Sequence, residues 1–187
     1  MQSKFERYLV EQCAPTLAGI KAGSLFHYTA EEGEDINDIV HCWNNRLLEK
    51  GIRICVIGER SNGGLVYVYR PASLYKLLSD KDIKEFLDSL GFAGCENPDT
   101  YVERMRCRFY DESCFPHEIG IFLGYPLHDV RGFLKNNGRN FRLCGFWKVY
   151  DKEGYAERLF ARYKKCRSIY KAMFEKGSNV LKLIVAA

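Results

Sequence analysis

The chain has 187 residues, 47% hydrophobic and 14% aromatic, enough to bury about 70% of its unfolded surface at this size and to exclude wholesale disorder. Lys and Arg number 28 against 24 Asp and Glu, a net charge of +4 that is far from the charge density of a nucleic-acid coat. No apolar run approaches the ~20 residues of a bilayer span, and Met1-Gln-Ser-Lys-Phe-Glu-Arg-Tyr lacks the apolar stretch of a secretion signal, so one cytoplasmic domain over 1–187 is expected.

In chain order, Ser3 to Gln12 reads as a helix with Phe5, Tyr8 and Leu9 on one face, and Pro15 suits the first turn of a second short helix through Lys21, ended by Gly23. Leu25 to Thr29 is a strand candidate. The acidic stretch Glu31 to Asp38 then leads into a helix that runs to Lys50 and stops at Gly51. Two β-branched and aromatic runs, Ile52–Glu59 and Leu65–Arg70, flank Ser61-Asn-Gly-Gly and predict an antiparallel hairpin at the heart of a sheet.

Pro71 opens a helical region with Leu74, Leu77 and Leu78, Asp82 to Leu90 repeats the pattern, and Asn97-Pro-Asp introduces another helix to Tyr110. After Phe115-Pro, the segments His117–Leu123 and Leu127–Lys135 read as two short helices broken at Gly124-Tyr-Pro. Phe141 to Tyr150 reads as one strand. In the last helix, Tyr155 to Glu175, a stripe of Tyr155, Leu159, Tyr163, Cys166, Tyr170 and Met173 is spaced to face the core. The expected class is α+β, a small, largely antiparallel sheet of about four strands packed against several helices.

Cysteines stand at positions 13, 42, 55, 95, 107, 114, 144 and 166; without a secretion signal and in a chain this long they are expected as reduced thiols, and the absence of any Cys-x-x-Cys pair predicts no bound metal. Gly-rich phosphate loops, Gly-x-Ser-x-Gly and His-Glu-x-x-His are absent as well, so the common nucleotide, hydrolase and metalloprotease chemistries lose support.

Several strings carry a family resemblance: Cys13-Ala-Pro-Thr-Leu-Ala-Gly-Ile-Lys21, Tyr67-Val-Tyr-Arg70, Phe115-Pro-His-Glu-Ile-Gly-Ile-Phe-Leu-Gly-Tyr-Pro126 with Asp129-Val130, and Cys144-Gly-Phe-Trp-Lys-Val-Tyr150. Together they resemble a bacterial family catalogued as domain of unknown function 3793. The resemblance spans nearly the whole chain and implies relatives, with no activity attached.

The candidate site is read from the residues. Pro116 can open a helix whose first turn holds His117 and Glu118, an imidazole and a carboxylate beside free backbone N–H groups, suited to proton transfer or anion binding. In the same pattern Glu118 serves the helix dipole and His117 a nearby carbonyl. Cys13, just before Pro15, is a possible nucleophile or a packing residue. Residues 139–176 hold 11 Lys or Arg against 4 Asp or Glu, so a basic patch there can attract phosphate or carboxylate groups.

These readings converge on a small anionic ligand in an aromatic and basic cleft. Lys21, Arg70 and Lys148 would be its charge partners, Trp147 its aromatic wall, and His117 with Glu118 the reactive pair of a possible enzyme. A haem or other iron-linked ligand held through His117 is one version, and the cofactor is otherwise unknown. The competing reading places DNA on a helix-turn-helix-like segment at 117–135, against which Asp129 would repel phosphates and the usual base-reading side chains are missing. Neither a membrane partner nor an oligomeric state is indicated.

Overall fold

The computed structural model describes residues 3–60, 63–111 and 115–185. Helix α1 (Lys4–Leu17) starts at a capping box, in which Glu6 N–H donates to Ser3 Oγ and Ser3 N–H to the Glu6 carboxylate. Pro15 lies inside α1 and opens no second helix. It forfeits one bond to the turn below, but residues 13–17 are all buried, and packing holds the helix through the loss. Gly23, expected to end a helix, is instead the first residue of strand β1 (Gly23–Thr29).

Helix α2 (Ile36–Leu48) begins later than the acidic run suggests, because Asp35 caps it by accepting from Asn37 N–H at 2.7 Å. The expected hairpin forms from β2 (Arg53–Arg60) and β3 (Gly63–Tyr69), while its turn residues Ser61 and Asn62 lie outside the described residues. The sheet order is β1-β3-β2, antiparallel throughout, so β3 is central and β2 an edge. A bulge at Ile57 shifts the β2 register between Val56 and Gly58.

Both faces of this sheet are covered. Val66 and Val68 of β3, with Phe26, Tyr28, Ile54 and Val56, face a core built from α1, α2 and the end of the chain. Tyr67 and Tyr69 point the other way, their rings stacked 4.9 Å apart, into a second core. That core holds α3 (Pro71–Leu78), α4 (Lys81–Leu87), a kinked turn at Asp88–Phe92 in which Gly91 takes a positive φ, α5 (Pro98–Asp111), α6 (Ile119–Phe122) and α7 (Leu127–Asn136). The period-two alternation of β3 therefore serves two layers at once.

Phe141–Tyr150 is not one strand. It folds back on itself as β4 (Leu143–Cys144) and β5 (Lys148–Val149), a separate two-stranded ribbon, so the sheets contain three and two strands among the described residues. The fold-back needs Gly145, since a Cβ there would lie 2.3 Å from the Phe160 ring. Helix α8 (Glu153–Glu175), about 34 Å long by the usual rise, packs its first half on this ribbon and its second half on the first core. Its buried face is Ala156, Phe160, Tyr163, Tyr170 and Phe174. Tyr163 and Tyr170 of the expected stripe are buried and Leu159 and Cys166 half-buried, but Tyr155 and Met173 at its two ends are exposed, their places in the core taken by the next residues, Ala156 and Phe174. A last turn, α9 (Val180–Leu183), closes the first core.

Arg70 ties these layers together. It is 3% exposed, and its guanidinium donates to the carbonyls of Thr16 (2.7 Å) and Leu17 (2.6 Å), in the last turn of α1, and of Val185 (2.6 Å) in the C-terminal tail. A cation at a helix C-terminus answers both the unpaired carbonyls and the dipole. Replacing Arg70 by Met should therefore lower unfolding free energy by about 3 kcal/mol, since two buried carbonyls and a part-buried one lose a charged donor. Urea titration of the two proteins measures the difference, and a loss below about 1 kcal/mol contradicts the structural role.

Candidate functional site

A cavity of about 280 Å³ opens between α6, α7, the β4–β5 ribbon and the edge strand β1. Leu25, Phe115, Tyr125, Phe133 and Trp147 give it an apolar, largely aromatic lining, and His117, Asp129, Cys144 and Lys148 supply its polar groups. Three of the six residues singled out from sequence, His117, Trp147 and Lys148, thus meet in one place. The other three do not line it.

The wall at α6 is fixed from two directions. Tyr67 Oη donates to the Phe122 carbonyl at 2.8 Å, anchoring α6 under the central strand. Glu118, 3% exposed, is bound by the Arg108 guanidinium, which also donates to the Leu90 carbonyl at 2.8 Å. The helix begins only at Ile119 and spans one turn, so Pro116 does not open it and His117 lies in the turn before it. With Glu118 held inside by Arg108, His117 faces out, exposed, with its ring 4.6 Å from Phe133. The two neighbours were expected as a reactive pair; the fold turns them to opposite sides.

Asp129 organises the wall made by α7 and the ribbon. Only 2% exposed, it accepts from Trp147 Nε1 at 2.7 Å, Tyr150 N–H at 2.7 Å and Asp151 N–H at 3.3 Å. These bonds hold the indole plane and the exit of β5 on α7. The Trp147 ring then stacks on Tyr125 at 4.9 Å and meets Phe160 edge-on at 4.5 Å. Tyr125 closes the corner by donating to the Phe146 carbonyl at 3.1 Å. Gly132 permits the contact of α7 with the ribbon, as a Cβ there would stand 2.5 Å from the Tyr150 ring.

Lys148, half-buried, donates to the Gly138 carbonyl at 2.8 Å and lies over the rings of Phe133 (5.6 Å) and Phe141 (5.1 Å). No carboxylate pairs with it among the described residues. Lys21 sits behind the cavity, its ammonium 5.4 Å from the centre of the Tyr125 ring. Burial lowers its pKa to about 8, with the nearby Cys13 opposing that shift. Cys13 itself is wholly buried in α1, where desolvation pushes its thiol up to about 12, so the nucleophile reading of Cys13 has no support. Arg70 is committed to the three carbonyls described above. Arg158, Arg162 and Lys165 of the basic segment project into solvent from α8.

Asp129, expected from the sequence only as a group that repels phosphates, is the organiser of the site. Its first-turn position in α7 resembles an ordinary dipole-compensating acid. The only hint is its place one residue before the buried Val130. The 117–135 segment does not form a helix-turn-helix: α6 is a single buried turn, and α7 has one side against the ribbon. Among the described residues, no group of three His, Cys, Asp or Glu is placed to hold a metal ion, and no helix is long and apolar enough to cross a membrane.

The family model described as "Protein of unknown function (DUF3793)" matches residues 9–184, and the chain belongs to that family. No curated protein and no solved structure matches it.

Two measurements follow from these anchors. Asp129→Ala should destabilise by about 3 kcal/mol, because three N–H donors lose one acceptor, whereas His117→Ala should cost less than about 1 kcal/mol, as an exposed residue does; equal losses in urea melts would refute the division of roles. Lys21, half-buried and depressed to about 8 from its ordinary 10.5, burdens the fold below pH 8, where it is charged in a desolvated place. The native state sheds that proton first, so stability rises from about pH 8 to 10.5. Lys21→Met should then be more stable than the parent at pH 7 and lose the advantage by pH 10.5; a pH-independent difference contradicts this assignment.

Proposed function

We propose that this DUF3793 member binds a small aromatic anion in the cavity between α6, α7 and the β4–β5 ribbon. The ring of the ligand lies among Trp147, Tyr125 and Phe133, and its carboxylate or phosphate meets Lys148 and His117. The observation that carries this reading is the convergence of His117, Trp147 and Lys148 on one cavity of about 280 Å³.

An anion is favoured over a cation by the local charges. Lys148 has no carboxylate partner among the described residues, and the carboxylate of Asp129 already accepts three N–H donors. A ring is favoured by the flat, aromatic walls, which stack a planar ligand at little cost in order. The volume sits at the small end of ligand sites, roughly 300 to 1,000 Å³, which suits a one- or two-ring molecule and is small for a haem. Binding is the role with support: His117 is exposed to a ligand, but Glu118 is turned away and engaged with Arg108.

Titration with 1-naphthoate tests this, read through quenching of Trp147 fluorescence in a Trp43→Phe background. Naphthoate should bind saturably, and Lys148→Met should weaken it about tenfold, equal to about 1.4 kcal/mol. The neutral 1-naphthylmethanol should bind no better to the parent than naphthoate does to that variant. No saturable quenching up to about 1 mM, or equal affinity for the neutral compound, removes the anion-site reading.

A further inference from the structure

One group at this cavity has no part in the binding reading. Cys144 is exposed at the rim, in β4. In the β4–β5 ladder its partner is Lys148, and directly opposed residues carry their side chains on the same face with Cβ atoms about 5 Å apart. The thiol, the ammonium and the exposed imidazole of His117 thus border one aromatic cavity.

The remaining described cysteines lie elsewhere. Cys42 and Cys107 are exposed on α2 and α5, away from the cavity, and Cys13 and Cys95 are buried. Cys55 and Cys166 are half-buried, and desolvation raises both thiols, that of Cys55 to about 12. Only at Cys144 do access, a neighbouring positive charge and a binding surface for a flat molecule coincide among the described residues.

We propose that Cys144 is a reactive thiol that captures an anionic aromatic disulfide admitted to the cavity. Lys148 draws the anionic group in, the rings of Trp147 and Phe133 hold the aromatic part, and one sulfur of the reagent lies against Sγ. The thiol gives its proton to solvent and its sulfur attacks. A bond forms between Sγ and the nearer reagent sulfur, the S–S bond of the reagent breaks, and the electron pair leaves with the departing aryl thiolate. The disulfide is itself the oxidant, so the exchange balances with no other reactant. The inference rests on the cavity being an anion site and adds the class of compound it would react with.

The experiment uses the full chain with two probes, dithiobis(nitrobenzoate), which carries carboxylates, and neutral dithiodipyridine, with the modified cysteine identified by peptide mass spectrometry. The anionic reagent should modify Cys144 about tenfold faster than Cys42 or Cys107. Lys148→Met should remove most of that preference while changing the neutral reagent by less than about twofold. Raising salt to about 0.5 M should narrow the gap in the parent protein, which checks charge steering without any substitution. Rates at Cys144 no greater than at the two exposed controls, or a preference indifferent to both Lys148 and salt, overturn the proposal. Naphthoate titration of Cys144→Ser separates the two readings: if it binds while Cys144 is unreactive, only the capture step fails, and if it does not bind, the anion site falls as well.

Discussion

A guanidinium buried without a carboxylate is the constraint on which the layers of this protein depend. Arg70 leaves the central strand where the sheet ends and α3 begins, and from there it reaches the last carbonyls of α1 and the tail after α9. The carbonyls of Thr16 and Leu17 lie where the interior offers little water, and that of Val185 is partly covered. One planar, forked donor satisfies three of them, which an ammonium on a flexible stem would do less well. Helix α1, the sheet and the end of the chain are thereby held in one arrangement, and α8, lying along α1, inherits its position from it.

The same logic recurs at the cavity with the charges reversed. Glu118 and Asp129 are acids in a dry interior, each satisfied by donors brought from elsewhere in the chain: Arg108 for the first, the indole and two backbone N–H groups for the second. Anchoring the buried partner decides where its neighbours go. Glu118 turned inward leaves His117 outward. Trp147, pinned by Asp129 just before β5, brings the next residue, Lys148, to the same cavity. The polar groups open to a ligand are thus by-products of how the buried ones are satisfied, which gives a rigid lining with few polar contacts.

How much of this was legible in the sequence differs by element. The β2–β3 hairpin was legible because β-branched and aromatic residues alternate through both strands and a turn sequence separates them. The stretch 141–150 has a similar composition and reads as a single strand. It folds back because Gly145 admits the Phe160 ring and Asp129 captures the N–H groups beyond β5, and both partners lie outside the segment. In α8, spacings of three and four fit two neighbouring faces equally well, so the choice between Met173 and Phe174 as the buried residue belonged to α1 and the first core.

By itself the sequence determined the α+β class, most of the helices and strands, the family, and a short set of chemically able residues that included His117, Trp147 and Lys148. Only the tertiary structure decided that these three share a cavity, that Glu118 and Arg70 are interior ties, and that Asp129 fixes Trp147 and the end of the ribbon on α7. The reason is one of range. Backbone propensity and hydrophobic period act over a few residues, whereas a desolvated charge takes whatever partner the fold brings near, ten positions away for Glu118 and 115 for the longest bond of Arg70.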